Sequence, residues 1–189
     1  MKHKGTLEIR TARLLLRRFE KTDADAVFRN WANDPEVTRF LTWEPHTDAS
    51  VTKKIIKGWV KKYRNPDEYH WIVECAGEVV GSVGVVRADF QWESCEVGYC
   101  FSKKVWGTGI ATEALSAVIA FLFDTVGVHR IAAKYHIDNP ASGRVMQKCG
   151  MEYEGTEREA VKRKDGSFAD LRCFSIINGS VSRQTETAP

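Results

Sequence analysis

Between Glu96 and Val126 the apolar residues of the chain change period. Val97, Tyr99 and Phe101 alternate with Glu96, Gly98 and Cys100, the two-residue repeat of a strand. From Ile110 the spacing becomes helical. Ile110, Ala114, Leu115, Val118, Ile119, Leu122 and Val126 form one stripe, and Gly127 closes it. Between the two lies Val105-Trp106-Gly107-Thr108-Gly109. A strand that passes through a Gly-x-Gly turn into a long apolar helix must pack that helix on a sheet, which points to an α/β fold. It also prepares chemistry. Successive backbone N–H groups of such a turn, with the helix N-terminus, hold an anion without any charged side chain. Gly107 and Gly109 let the backbone pass close to a phosphate.

The rest of the chain supplies the partners. Arg13 to Phe19, with Leu14, Leu15 and Leu16, reads as a strand. Thr22 then caps a helix with Asp23 and Asp25 in its first turn and Val27, Phe28 and Trp31 on its apolar stripe. A loop holding Trp43 and His46 leads to a second helix after Asp48, whose apolar face is Val51, Ile55, Ile56, Trp59, Val60 and Tyr63. Tyr69 to Cys75 and Val79 to Arg87 are strands joined at Ala76-Gly77-Glu78, and Ser94 to Phe101 continues the meander. His129 to Tyr135 is a strand, Asn139 caps a short helix ending near Gly150, and a hairpin turns at Asp165-Gly166. Trp31, Trp59, Trp71 and Trp106 read as core. Residues 1–177 form one domain, and residues 178–189 are a polar tail.

Composition narrows the function. A net charge of +3 over 189 residues, evenly spread, does not suggest a nucleic-acid surface. The Lys53-Lys54 and Lys61-Lys62 pairs read as a solvated helix face. No run is apolar enough for a membrane helix or a signal segment, so the expectation is a cytoplasmic protein without a membrane role. The five cysteines show no C-x-x-C spacing and neither they nor the histidines cluster, which predicts reduced thiols and no metal site.

A dinucleotide fold competes for the Gly-x-Gly turn. It wants a third glycine or alanine where Thr112 stands, and an acid about 20 residues on, well before Asp138. A meander also precedes the turn, where that fold would begin.

Trp106-Gly107-Thr108-Gly109-Ile110-Ala111-Thr112-Glu113-Ala114-Leu115 resembles instead the pyrophosphate-binding motif of GNAT acetyltransferases. It is most similar to the branch containing the bacterial ribosomal-protein N-terminal acetyltransferases. Thr11-Ala12-Arg13-Leu14-Leu15-Leu16-Arg17 is similar to that branch's opening strand, and Glu96-Val97-Gly98-Tyr99 to its E-[IV]-G-Y strand. The segment from Asn139 to Met151 resembles its N-x-x-S…K-x-G-F helix, and Asp165-Gly166 with Asp170 its closing hairpin. Lys104 replaces a common Gln or Arg, and Met151 a Phe.

The resemblance implies a mixed, mostly antiparallel sheet of seven strands with about four helices. It implies acetyl-CoA as donor and an amine as acceptor, a ribosomal-protein N-terminus among the candidates, in a monomer or homodimer. The backbone of Val97, Gly98, Tyr99, Cys100 and Phe101 would pair with pantetheine, with an N–H near Tyr99 or Cys100 for the oxyanion. Val105, Trp106, Gly107, Thr108, Gly109, Ile110, Ala111 and Thr112 would cradle the pyrophosphate. Asn139 would hold the pantetheine amide, and Ser142 the sulfur, because Met146 stands where many members carry a proton-donating Tyr. Glu96 would be the base, with Trp43 and His46 on the acceptor wall. Asn139 as a plain cap, Ser142 as a first-turn serine and Glu96 as a rim ion pair remain the bland alternatives. A polyamine or small-molecule acceptor, or a non-catalytic acyl-CoA-binding module, also stays open.

Overall fold

A computed structural model describes residues 1–179, so the polar tail read from 178 onward lies outside the described residues from 180. The chain is woven into two compact units. One contains Lys2–Val85 and Tyr99–Val118, and the other Met1, Val86–Gly98 and the described residues from Ile119 to Gly179.

In the first unit, Leu14 and Leu16 are buried while Leu15 and Arg17 are half-buried. This alternation makes strand β2, Leu14–Arg17. A two-residue strand β1, Ile9–Arg10, pairs with it and sets Ile9 opposite Leu16. β1 brings the strands to eight among the described residues, one more than expected. Two residues are too few to show an alternation, and that is why the sequence hid it.

β2 pairs with β3, His70–Cys75, and β3 with β4, Glu78–Asp89, all antiparallel. Ala76 and Gly77 turn the β3–β4 hairpin, both at positive φ (50° and 78°), the geometry that matches strand twist. The Tyr99–Phe101 end of strand β5, Ser94–Phe101, lies beside β4 and leads to Ser102, whose N–H donates to the Val80 carbonyl at 2.9 Å.

The helix expected from Thr22 is different in detail. A 3-10 turn at Lys21–Asp23 is followed by α1, Ala24–Val27, and then by a wider π turn, Phe28–Ala32. The cap is Glu20, not Thr22. The Glu20 and Asp23 side chains cap each other's backbone, and the Glu20 N–H donates to Asp23 Oδ2 at 2.7 Å. Asp23 can be buried there because both terminal nitrogens of Arg17 donate to it, at 2.9 and 2.8 Å, while Arg17 Nε reaches Glu74 at 2.8 Å. Helix α2, Ala49–Lys62, starts as expected, with the Asp48 carboxylate accepting from the Ser50 N–H at 2.7 Å. Its Ile56 joins Phe19, Val27, Trp31 and Ile72 in a core against which Trp43, Trp59 and Tyr63 pack.

In the second unit, β5 runs parallel to β6, Arg130–His136, with Glu96 opposite Ala132. Parallel neighbours need a crossover. Helix α3, Ile110–Phe121, and the turn to Gly127 at φ 81° supply it. β6 pairs antiparallel with β8, Phe168–Ile177, which pairs with β7, Glu152–Lys162. Helix α4, Pro140–Lys148, seats on β6 through Gly143, where a Cβ would stand 2.5 Å from the Tyr135 ring. The sheet is mixed and mostly antiparallel with four α-helices, as expected. Among the described residues no helix is long and apolar enough to cross a membrane.

One core contact carries a pH signature. The His70 ring packs between Phe19 and Trp59, at centroid distances of 4.8 and 4.6 Å. Burial first, then the charge of Lys62, lowers its pKa to about 4. The unfolded chain binds that proton from about pH 6.5, before the folded chain does. Stability is therefore full above about pH 6.5 and falls as pH drops toward 4, by up to roughly 3 kcal/mol. Urea unfolding at pH 7 and pH 4.5 should show this loss, and His70→Phe should remove it. An identical acid loss in both proteins would place the titration elsewhere.

Candidate active site

The turn between β5 and α3 has the geometry of an anion cradle. Gly107 and Gly109 take φ of 77° and 83°, a region L-residues avoid. No atom lies within 4 Å of the place a Cβ on Gly107 would occupy, so the turn is open on that side. The first intrahelical bond of α3 runs from Glu113 N–H to the Gly109 carbonyl at 3.0 Å. The N–H groups of Ile110 and Ala111 therefore precede any carbonyl of the helix they could reach. Together they offer a phosphate several donors and the positive end of the helix dipole. The N–H groups of Val105, Trp106 and Thr108 already donate to the Ser102, Lys103 and Val105 carbonyls, at 3.1, 3.1 and 3.4 Å, so the donors that suit a CoA pyrophosphate are those of Gly107, Gly109, Ile110 and Ala111. α3 is held by Ala114, Leu115 and Val118, all 0% exposed.

Trp106 corrects the sequence reading, which placed it in the core. Its side chain is 51% exposed. The indole Nε1 donates to the Phe101 carbonyl at 2.9 Å, closing the chain back on the end of β5. An aromatic residue beside two glycines looks apolar in the sequence, and only this hydrogen bond shows why it can lie at the surface.

Trp43 and His46 meet in the loop before α2, with ring centroids 5.2 Å apart. His46 Nδ1 lies 2.7 Å from the buried Thr52 hydroxyl, and its N–H donates to the Ala32 carbonyl at 2.8 Å. Burial lowers the His46 pKa below the ordinary imidazole value. The ring is therefore neutral near pH 7 and able to accept a proton.

In the second unit Glu96 lies on β5 in the alternation expected, half-buried beside the buried Val97. Lys134 of β6 stands 3.8 Å from Glu96 Oε2 and 2.7 Å from Glu157. The shorter contact dominates. Lys134 is held above the usual lysine value first by its hydrogen bond to Glu157, against burial, and then by the charge of Glu96. At 3.8 Å its ammonium stands too far from Glu96 Oε2 for a hydrogen bond. Lys134 and Glu157 were not read from the sequence, because they approach Glu96 only through strand register.

Asn139 is the N-cap of α4. Its side-chain oxygen accepts from the Ser142 N–H at 3.4 Å, and Pro140 follows at the first helical position. The cap role is thus present, and the side-chain NH₂ is the group Asn139 can offer a ligand. Ser142 is half-buried in the first turn, and Met146 is 1% exposed. Burial pushes the Cys95 and Cys100 thiols up to about 12, so neither is a thiolate at neutral pH.

The two left-handed glycines make a direct test. Gly109→Val would force a β-branched residue to positive φ and place its Cβ 3.5 Å from an Arg13 nitrogen. Wild-type protein in CoA at a hundred times its dissociation constant should gain about 2.7 kcal/mol. The Gly109→Val protein should fold and lose that gain, read by thermal shift with and without magnesium. A retained gain would move the anion site away from this turn.

The profile of the acetyltransferase (GNAT) domain matches residues 13–152. The chain is 31% identical to the N-acetyltransferase p20 of Bacillus licheniformis over 169 residues, 88% of this chain and 94% of that one. It is 29% identical to the [ribosomal protein uS5]-alanine N-acetyltransferase of Escherichia coli, over 87% of each chain. The structure of a GNAT-family acetyltransferase from Bacillus anthracis superposes with a TM-score of 0.80 at 26% identity, covering 92% of this chain and all of the other. The family match, the fold and these relatives agree: the chain belongs to the GNAT family and is an acetyl-CoA-dependent N-acetyltransferase.

Proposed function

We propose that this enzyme acetylates a protein N-terminal α-amine, with a ribosomal-protein N-terminus as the first acceptor class to examine, by direct attack in a ternary complex in the cytoplasm. The observation that carries the reading is the setting of Glu96. It is one carboxylate, half-buried on β5, with an ammonium 3.8 Å away. An α-amine has a pKa of about 7.7–8.0, and a lysine about 10.4. A single carboxylate, relayed by water, suffices for the first near neutral pH, whereas a lysine needs more help. The name of the Escherichia coli relative supports the same acceptor chemistry.

In this reading the N–H groups and helix end at Gly107–Thr112 hold the pyrophosphate. The β5 backbone from Val97 to Phe101 pairs with pantetheine. Glu96 takes the proton of the attacking amine, and Trp43 and His46 line the acceptor side. A β5 N–H near Tyr99 or Cys100 stabilises the oxyanion. The CoA thiolate leaves toward Ser142 at the N-terminal end of α4, where the dipole favours negative charge. A thiol pKa near about 8.5 makes that thiolate a tolerable leaving group. Burial of the Cys95 and Cys100 thiols, which keeps them neutral, supports direct attack over an acyl-enzyme on β5.

The acceptor is tested by free-CoA release with three amines: a peptide with a free Ala or Ser α-amine, the same peptide Nα-blocked with one lysine, and spermidine. The α-amine peptide should have a kcat/KM at least about tenfold above the others, consistent with the pKa gap. Faster turnover of spermidine or of the blocked peptide would reassign the acceptor. Glu96→Gln should slow the best acceptor about 10²–10⁴-fold, most at low pH, with CoA affinity unchanged. An unchanged pH–rate profile would leave Glu96 as a structural ion-pair partner of Lys134.

A further inference from the structure

Within the turn, the Thr108 hydroxyl donates to the Val105 carbonyl at 2.7 Å, and Trp106 Nε1 to that of Phe101, but neither bond fixes the Thr108–Gly109 peptide. It is held from behind by the residues that open β2. Glu113, in the first turns of α3, accepts the Thr11 hydroxyl at 2.6 Å and the Arg13 N–H at 3.0 Å on Oε1. On Oε2 it accepts Arg13 Nε at 2.6 Å. Arg13 Nη1 then donates to the Thr108 carbonyl at 3.1 Å. The Thr11 hydroxyl also accepts the Leu14 N–H at 3.0 Å, which ties the cluster to the start of β2.

The Thr108 carbonyl is the informative partner. No cis peptide bond occurs among the described residues, so the Thr108 C=O and the Gly109 N–H lie in one plane and point in opposite directions. A guanidinium that captures the carbonyl therefore turns the Gly109 N–H to the far side. Gly109, on one side of this peptide, lowers its resistance to flipping, so an external clamp helps to keep it in one orientation. Arg13 suits this work because its planar fork spans Glu113 and Thr108 at once, which a lysine ammonium does not do. Burial tends to raise the Glu113 pKa, but the hydrogen bonds from Thr11 and Arg13 outweigh it and hold it below the usual carboxylate range, so the clamp stays charged at neutral pH.

We propose that Arg13, fixed by Glu113 and Thr11, is a positioning residue for the cofactor, which sets the Thr108–Gly109 peptide so that the Gly109 N–H faces the CoA pyrophosphate. This rests on the assignment of the turn to that pyrophosphate. It gives a role to two parts of the sequence that the chemistry had not used, the Thr-x-Arg opening of β2 and the acid of Thr112-Glu113-Ala114.

The test compares three donors on the whole enzyme. Calorimetry measures CoA and dephospho-CoA, and steady-state kinetics measures S-acetyl-pantetheine, which has no pyrophosphate. Arg13→Gln should weaken CoA and dephospho-CoA equally, by about 10- to 100-fold, the loss of a charged hydrogen bond. The kcat/KM for S-acetyl-pantetheine should stay within about twofold, which a general loss of structure would not spare. Glu113→Gln should give the same pattern, and the double variant should add little to either single change. Arg13→Lys, which keeps the charge without the fork, should fall between and serves if Arg13→Gln does not fold. Three results would overturn the proposal: equal loss with all three donors, loss with CoA alone, which would mean a direct 3′-phosphate contact, or no loss. Gly109→Val separates the premise from the proposal. If it keeps CoA affinity, the turn assignment fails; if it loses affinity while Arg13→Gln does not, only the clamp fails.

Discussion

The backbone between β5 and α3 has to meet two demands at once. Its N–H groups must stay available for something outside the chain, and they must not move. A helix meets the first demand by geometry, since its opening amides have no carbonyl within reach. The second is met by packing and by carbonyls. Ala114, Leu115 and Val118 are completely buried, so one face of the helix is fixed by close packing. Trp106 anchors the chain before the turn through the Phe101 carbonyl, and Arg13 takes the Thr108 carbonyl. Capturing the Thr108 carbonyl leaves the Gly109 N–H of the same peptide pointing the other way.

The proposed chemistry asks little more of the protein than ordered placement. Glu96 sits beside Lys134, whose stronger partner is Glu157. The arrangement keeps a carboxylate on the strand without locking it in a short ion pair. The thiols along the same strand are held in the neutral form by burial, which leaves the donor thioester as the electrophile for the amine itself. His46, its pKa lowered by burial, is in ring contact with Trp43 in the loop before α2.

Much of this was legible because its signals are local. Asp48, Asn139 and Gly127 each act on backbone within a few residues of themselves, and each appears in the role its residue type suggested. β5 is Ser94–Phe101, the span its alternation marked. The first helix was misread because Glu20 and Asp23 set its start, and Asp23 depends on Arg17. β1 was missed because two residues carry no period. Trp106 was misplaced because apolar surface says nothing of an indole N–H that has a partner at the rim. The Arg13–Glu113 contact joins residues 100 positions apart, a pairing that no local pattern shows.

The central claim is that backbone amides at Gly107–Ala111 hold the cofactor. Hydrogen–deuterium exchange of those amides, with and without CoA, tests it most directly. The account predicts that CoA slows exchange in a peptide spanning Trp106 to Glu113 more than in the β7–β8 hairpin, and does so equally in EDTA and in magnesium. Unchanged exchange across Gly107–Ala111 at saturating CoA, with protection appearing elsewhere, would contradict it.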